Sequence, residues 1–239
     1  MLLDIEGTTT PIDFVYKTLF PYASRNVESF LAERFGEPEI RPLVRDLEEQ
    51  HAKDAAAGLA PPNWAFDSKD ELRACVAYVR WLMVRDSKCT PLKSLQGKIW
   101  QRGFESGELH GDVYADVPPA FARWRQQGRE IAIYSSGSVL AQKLLFSTVP
   151  LGDLTPDIAA FFDTGIGVKA AAESYTKIAA AMAKTPQELL FLSDARNEVL
   201  AARSAGMFAA LCDRNSPDAQ ASTTISEETI SSFDEILPD

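Results

Sequence analysis

The spacing of apolar positions changes partway along this chain, and the change divides it. "LLDIEGTTTP" opens with an apolar run that stops at Asp4 and turns at Gly7, as a short buried strand would. After it, Ala23, Val27, Phe30, Leu31 and Phe35 recur at helical spacing, with Pro21 suited to a first turn and Gly36 to a stop. "IRPLVRDLEEQHAKDAAAG" carries a narrow apolar stripe. Leu72, Cys75, Val76, Val79, Leu82 and Met83 mark another helix, and "LKSLQGKIWQRGF" a further one. "LAPPNWAF" reads as a loop by its prolines. From about residue 14 to 110 the pattern predicts helices and loops without a strand.

Beyond that stretch, strands and helices alternate. A proline-started helix ends at Gly128 and leads into "EIAIY", an uninterrupted apolar run that suits a strand buried on both faces. The same grammar repeats: "SVLAQKLLF" leads to "FFDTGIGVK", "AESYTKIAAAMAK" to "ELLFLSDA", and "EVLAARSAG" to "FAALCDR". Alternation of this length predicts right-handed βαβ units and an α/β fold with a doubly wound, Rossmann-like parallel sheet. Residues 1–13 and 111–239 are expected to form that core, and 14–110 an inserted α-helical cap.

Composition narrows the partners. With 46% hydrophobic residues, 239 residues can bury a substantial core. The 24 basic and 34 acidic residues leave a net charge of -10, which argues against nucleic acid or an anionic membrane as partner. Cys75, Cys89 and Cys212 show no pairing pattern, which fits a reducing compartment. No secretory segment precedes Asp4 and no apolar run nears the roughly 18 residues of a membrane span, so a cytoplasmic protein is expected.

In doubly wound sheets, chemistry gathers at the carboxyl ends of the strands. Reading those ends gives Asp4 and Glu6, then Ser135 and Ser136, then Lys169, then Asp194. Taken singly, each also fits a bland role: turn acids, a Ser-Ser-Gly turn, a solvated lysine, an N-capped helix start. Taken in order, they suit phosphoryl transfer. Asp4 and Asp194 supply hard oxygens for Mg²⁺, and Ser135, Ser136 and Lys169 can meet phosphate oxygens. Asp4 can attack phosphorus to form an aspartyl-phosphate. Glu6, placed on the same side by the period-2 rule, can protonate the leaving oxygen and then activate water.

The ordered set resembles the haloacid dehalogenase-like hydrolases. "LLDIEGTTTPIDFVYKTLFPYA", "LKSLQGKIWQRGF", "IYSSGSVLAQKLLF", "FFDTGIGVKAAAESYTKIA" and "LFLSDARNEVLAARSAGM" together are similar to the enolase-phosphatases of methionine salvage, in which Glu6 replaces a more usual aspartate. The resemblance implies a monomeric Mg²⁺ enzyme acting on a small phosphorylated diketone, 2,3-diketo-5-methylthiopentyl-1-phosphate, first enolising it and then removing phosphate. Asp4, Glu6 (through its backbone carbonyl) and Asp194 would hold the metal, Ser135, Ser136 and Lys169 the substrate, and Glu198 would orient its neighbours. Another Mg²⁺-dependent phosphatase of the same superfamily is the alternative. Glu6 is the first candidate for moving the carbon-bound proton, with Lys93, Gln96 or Lys98 second. Two departures stand out. Only three residues precede Asp4, which implies a short central strand or missing residues, and lower stability. Ala171 falls where the family commonly has an acid, which leaves open what partners Lys169.

Overall fold

A computed structural model describes residues 1–64, 71–215 and 229–238, so Ala65 and Phe66, at the end of the expected proline loop, lie outside the described residues. The chain divides into two compact units, one of Met1–Val15 and His110–Asp239, the other of Tyr16–Leu109. The first is built on six parallel strands: β1 Leu2–Leu3, β2 Ile131–Tyr134, β3 Ile158–Phe162, β4 Leu190–Ser193, β5 Phe208–Cys212 and β6 Thr229–Ile230. Their order is β3-β2-β1-β4-β5-β6, so the chain winds outward on one side of β1 and then returns to the other. Such a reversal opens a crevice at the strand ends, here beside β1 and β4.

The strands form because their apolar residues are covered on both faces. All four residues of β2 are buried, as are Leu2 and Leu3. Two helices, Ala172–Ala181 and Arg196–Ser204, bring Tyr175, Ile178, Val199 and Ala202 into one cluster with Leu2, Tyr134 and Phe191. Val117–Gln126 and Val139–Ser147 supply Phe121, Trp124 and Phe146, whose rings pack in series at tilted angles toward Phe161 of β3.

The opening strand ends at Leu3, where its apolar run ends. The Asp4 N–H still donates to the Leu192 carbonyl (3.0 Å), but the chain then turns so tightly that the Ile5 carbonyl receives the N–H groups of Thr8, Thr9 and Thr10. Gly7 holds φ +69°, a left-handed conformation that disfavours side chains. Glu6 therefore lies in a turn, and period-2 alternation does not place it. β6 has only two residues, too few to leave a sequence pattern.

Among the described residues, the second unit contains four long helices, Phe20–Arg34, Arg41–Ala56, Glu71–Val84 and Thr90–Glu105. The first is preceded by a helical turn, Ile12–Phe14, and a π-helical stretch, Val15–Leu19, that apolar spacing does not reveal. Trp64 is buried against His51 and Tyr78 with centroids 5.5 and 5.7 Å apart, so it packs inside this unit. Among the described residues, no helix is long and apolar enough to cross a membrane.

A buried ion pair ties distant parts of the first unit together. Arg214, just past β5, donates to Asp116 Oδ2 (2.6 Å) and twice to the Thr8 carbonyl (2.9 and 2.6 Å). Its guanidinium lies over the Tyr114 and Phe233 rings at 4.4 and 4.5 Å. Asp116 Oδ2 also accepts the Ser232 hydroxyl and the Phe233 N–H. Burial alone would raise the Asp116 carboxyl, but these donors hold it below its ordinary value. Removing one partner leaves the other charge buried and alone. We expect Asp116→Ala to cost about 3–5 kcal/mol in urea unfolding; a loss under about 1 kcal/mol would mean that water replaces the carboxylate.

Candidate active site at the strand ends

Strand register places the central acid. Leu3 pairs with Ile133 of β2 and Leu192 of β4, so Asp4, one residue on, stands level with Tyr134 and Ser193. Asp4 is only 4% exposed, and its carboxylate is held at both oxygens. Oδ1 accepts the Ile5 N–H (2.7 Å) and the Lys169 ammonium (2.6 Å), while Oδ2 accepts the Ser193 hydroxyl (3.1 Å). Lys169 Nζ also lies 2.7 Å from Glu198 Oε2, which is 3.0 Å from Ser193 Oγ. The four side chains close a ring.

Burial opposes charge on Lys169, but Asp4 and Glu198 outweigh it and lift its pKa above the ordinary lysine value. Glu198 is pushed up as well, first by burial and then by repulsion from Asp4, against the pull of Lys169. The open question about Ala171 is thereby answered: Lys169 finds its acids just after the first and fourth strands instead of two residues on.

Three hydroxyls set the loop that carries Lys169. Tyr134 donates to the Gly167 carbonyl (2.9 Å), Ser174 to that of Val168 (2.7 Å) and Tyr175 to that of Lys169 itself (2.8 Å). The fit leaves no room at Gly167, where a Cβ would stand 2.2 Å from Ser174 Oγ. Sequence reasoning passes over these hydroxyls because all three residues read as ordinary strand and helix positions.

Asp194 follows β4 directly. Its N–H donates to Thr8 Oγ1 (3.0 Å), and a Cβ on Gly7 would stand 2.2 Å from its Oδ2, so the turn after β1 and the end of β4 fit only through a glycine. The residue is exposed at the surface, where solvent screens its charge, yet its carboxyl is pushed up to about 6, chiefly by the desolvation of its part-buried side and then by Asp4, with Glu6 adding to the repulsion. A cavity of about 580 Å³ borders it, lined by Gly7, Asp13, Tyr114 and Arg214 among others.

The β2 end supplies the two serines. Ser135 is buried and its Oγ accepts the Gly137 N–H (3.2 Å), whereas Ser136 is exposed. Gln142 braces the turn, donating to the carbonyls of Gly137 (2.8 Å) and Phe162 (2.9 Å). The structure thus joins Lys169 to Asp4 and Glu198 by direct contact, and sets Asp194 within electrostatic reach of both Asp4 and Glu6. Ser135 and Ser136 occupy the adjacent strand end. Ser193 and Thr8 escape sequence reasoning; Ser193 offers one signal, a hydroxyl immediately before an acid at a strand tip.

The donor chemistry suits a small hard cation. Carboxylates of Asp4 and Asp194, with Glu6 beside them, repel one another, and a divalent ion relieves that repulsion. Among the described residues no three acid, histidine or cysteine side chains form a ready cage. Mg²⁺ does not require one, since it keeps waters and takes one or two carboxylates plus phosphate.

Fold and site together define a hydrolase class. The family model for haloacid dehalogenase-like hydrolases matches residues 1–206, and the chain belongs to that family. Within it, the chain is 48% identical to "Enolase-phosphatase E1" of Synechococcus elongatus over 237 residues, covering 99% of this chain and 96% of the relative. It is 47% identical to the protein of the same name from Drosophila grimshawi over 215 residues, covering 90% and 86%. Among solved structures, the UTR4 protein of Saccharomyces cerevisiae aligns over 98% of both chains at 33% identity and a TM-score of 0.75.

The Asp194 shift has a pH consequence. Its carboxyl stands near 6 in the folded chain against an ordinary value of 3.8, so folding favours the protonated form. In metal-free protein this contribution is fully present below about pH 4 and is lost as pH rises through about 6. We expect unfolding free energy in EDTA to fall across that window, and Asp194→Asn to flatten the fall; parallel curves for both proteins would contradict the assignment.

Proposed function

We propose that the chain is an enolase-phosphatase: it enolises 2,3-diketo-5-methylthiopentyl-1-phosphate and then removes the phosphate, giving the acireductone 1,2-dihydroxy-3-keto-5-methylthiopentene of methionine salvage. The observation that carries this reading is the buried contact of Lys169 with Asp4, in a chain that aligns almost end to end with relatives named for this activity.

Asp4, Asp194 and the backbone carbonyl of Glu6 would hold Mg²⁺, which supplies positive charge beside the phosphoryl oxygens when bound. The protein does the rest. The buried ammonium of Lys169 lowers the cost of bringing a dianion to Asp4, and its contact with Oδ1 holds the Asp4 carboxylate aimed. An Asp4 oxygen bonds to phosphorus as the bond to the ester oxygen breaks, and that oxygen leaves with the electron pair and takes a proton from Glu6. Water then attacks phosphorus, Glu6 takes a water proton, and the Asp4–phosphorus bond breaks to return the carboxylate. Ser135, Ser136 and the N–H groups of their turn meet the remaining phosphoryl oxygens. For the enolisation, Glu6 is assigned the carbon-bound proton. Of the alternatives Lys93, Gln96 and Lys98, Lys98 is held by Glu39 at 2.9 Å. The inserted helices are assigned the role of a cap, and the cavity beside Asp194 is of a size typical for a small ligand.

Supplying the diketo phosphate with Mg²⁺ should produce a rise in ultraviolet absorbance as the enol forms, followed by a shift as inorganic phosphate appears. Phosphate release without any enol signal would reduce the chain to a plain phosphatase. Asp4→Asn should lower phosphate release by about 10⁴-fold or more while circular dichroism stays unchanged. Retained turnover would remove Asp4 from the nucleophile's role. Lys169→Ala should lower turnover and raise KM together, since its ammonium serves both binding and reaction; a loss of thermal stability alone would make it structural.

A further inference from the structure

We propose that Ser193 is a positioning residue for the Asp4 nucleophile, whose hydroxyl turns between Asp4 and Glu198 as Asp4 loses and regains its charge. The proposal rests on the reading of Asp4 as nucleophile and adds a residue that the reaction scheme does not contain.

The geometry is specific. Ser193 is fully buried at the last position of β4, level with Asp4 across the sheet. Its Oγ lies 3.1 Å from Asp4 Oδ2 and 3.0 Å from Glu198 Oε2, and it accepts the Ala195 N–H at 3.1 Å. A serine hydroxyl has one proton, so it can donate to only one of the two carboxylates at a time. Lys169 meets the other Asp4 oxygen, Oδ1, and the same Glu198 oxygen. Each Asp4 oxygen thus has its own donor, and Lys169 and Ser193 both reach from Asp4 to Glu198.

A hydrogen bond to an ionised acceptor is roughly twice as strong as one to a neutral acceptor. While Asp4 is a carboxylate, Ser193 donates to Oδ2 and fixes the plane of the attacking group. Once an Asp4 oxygen bonds to phosphorus and the ester oxygen departs, the Asp4 carboxyl is an acyl group without its own charge and a weaker acceptor. The hydroxyl then swings to Glu198, and it swings back when water releases phosphate and restores the carboxylate. The O–H bond of Ser193 stays intact throughout, and no proton leaves the residue. Because the buried hydroxyl has an acceptor in either state, neither state strands a polar group.

The test uses full-length protein with Mg²⁺ and para-nitrophenyl phosphate, comparing Ser193→Ala, Ser193→Cys and Ser193→Thr with Asp4→Asn as control. Ser193→Ala should lower kcat about tenfold to a hundredfold, the scale expected for a misplaced reacting group, with KM within about twofold. Ser193→Cys, similar in volume but a weak donor, should follow it, and Ser193→Thr, which keeps the hydroxyl, should recover most of the rate. Alanine turnover within about twofold of the parent, a loss confined to KM, or an equal loss in the threonine variant would overturn the proposal. If Asp4→Asn is inactive while Ser193→Ala is normal, only the role of Ser193 falls. If Asp4→Asn turns over, the nucleophile reading falls and this inference with it.

Discussion

One buried ammonium holds the strand ends together. Asp4, Glu198, Asp194 and Glu6 crowd negative charge into a small volume, and Lys169, 11% exposed in its side chain, is in contact with two of them. Burying carboxylates costs several kcal/mol apiece unless partners satisfy them. Lys169 satisfies Asp4 and Glu198, while the carboxyl of Asp194 is pushed up first by burial and then by repulsion from Asp4. The site gathers several carboxylates at one set of strand ends, an arrangement in which a divalent ion would be accommodated.

That crowding explains much of the surrounding detail. The loop bearing Lys169 is tied by hydroxyls at three successive carbonyls, because a misplaced ammonium would leave two buried acids alone. The turn after β1 is pinned from two directions, by Asp194 through Thr8 Oγ1 and by Arg214 through the Thr8 carbonyl. Glycine at positions 7 and 167 is a requirement of close approach, since a side chain at either would drive a Cβ to 2.2 Å from a neighbouring oxygen.

The architecture is readable because parallel strands covered on both faces leave continuous apolar runs, as "EIAIY" and "ELLFLSDA" do, and because helices of regular length separate them. The order of strand-end residues is readable for the same reason, and it brings Lys169 and Asp4 into one account from sequence alone. What does not show is local. Pattern cannot say that Glu6 leaves the strand alternation, because the turn of Ile5 to Thr10 depends on carbonyl geometry and not on hydrophobicity. Nor can it distinguish Ser193 from any polar residue that ends a strand, since its role arises from standing across from Asp4, a partner set by register. Glu198 is named from the sequence as an orienting residue, but that it is the acid Lys169 meets in place of one near Ala171 depends on the fold.

The position of β1 bears on how the chain reaches this state. Leu2 and Leu3 occupy the middle of the sheet, yet the residues that flank Leu2, Ala132 and Phe191, belong to the later half of the chain. Chains fold progressively during synthesis, and non-local pairings are slow to form. A segment made early is therefore among the last to be seated. Until β4 has been made, Leu2, Leu3 and Asp4 have no complete sheet to enter, and the contact of Asp4 with Ser193 can form only after it.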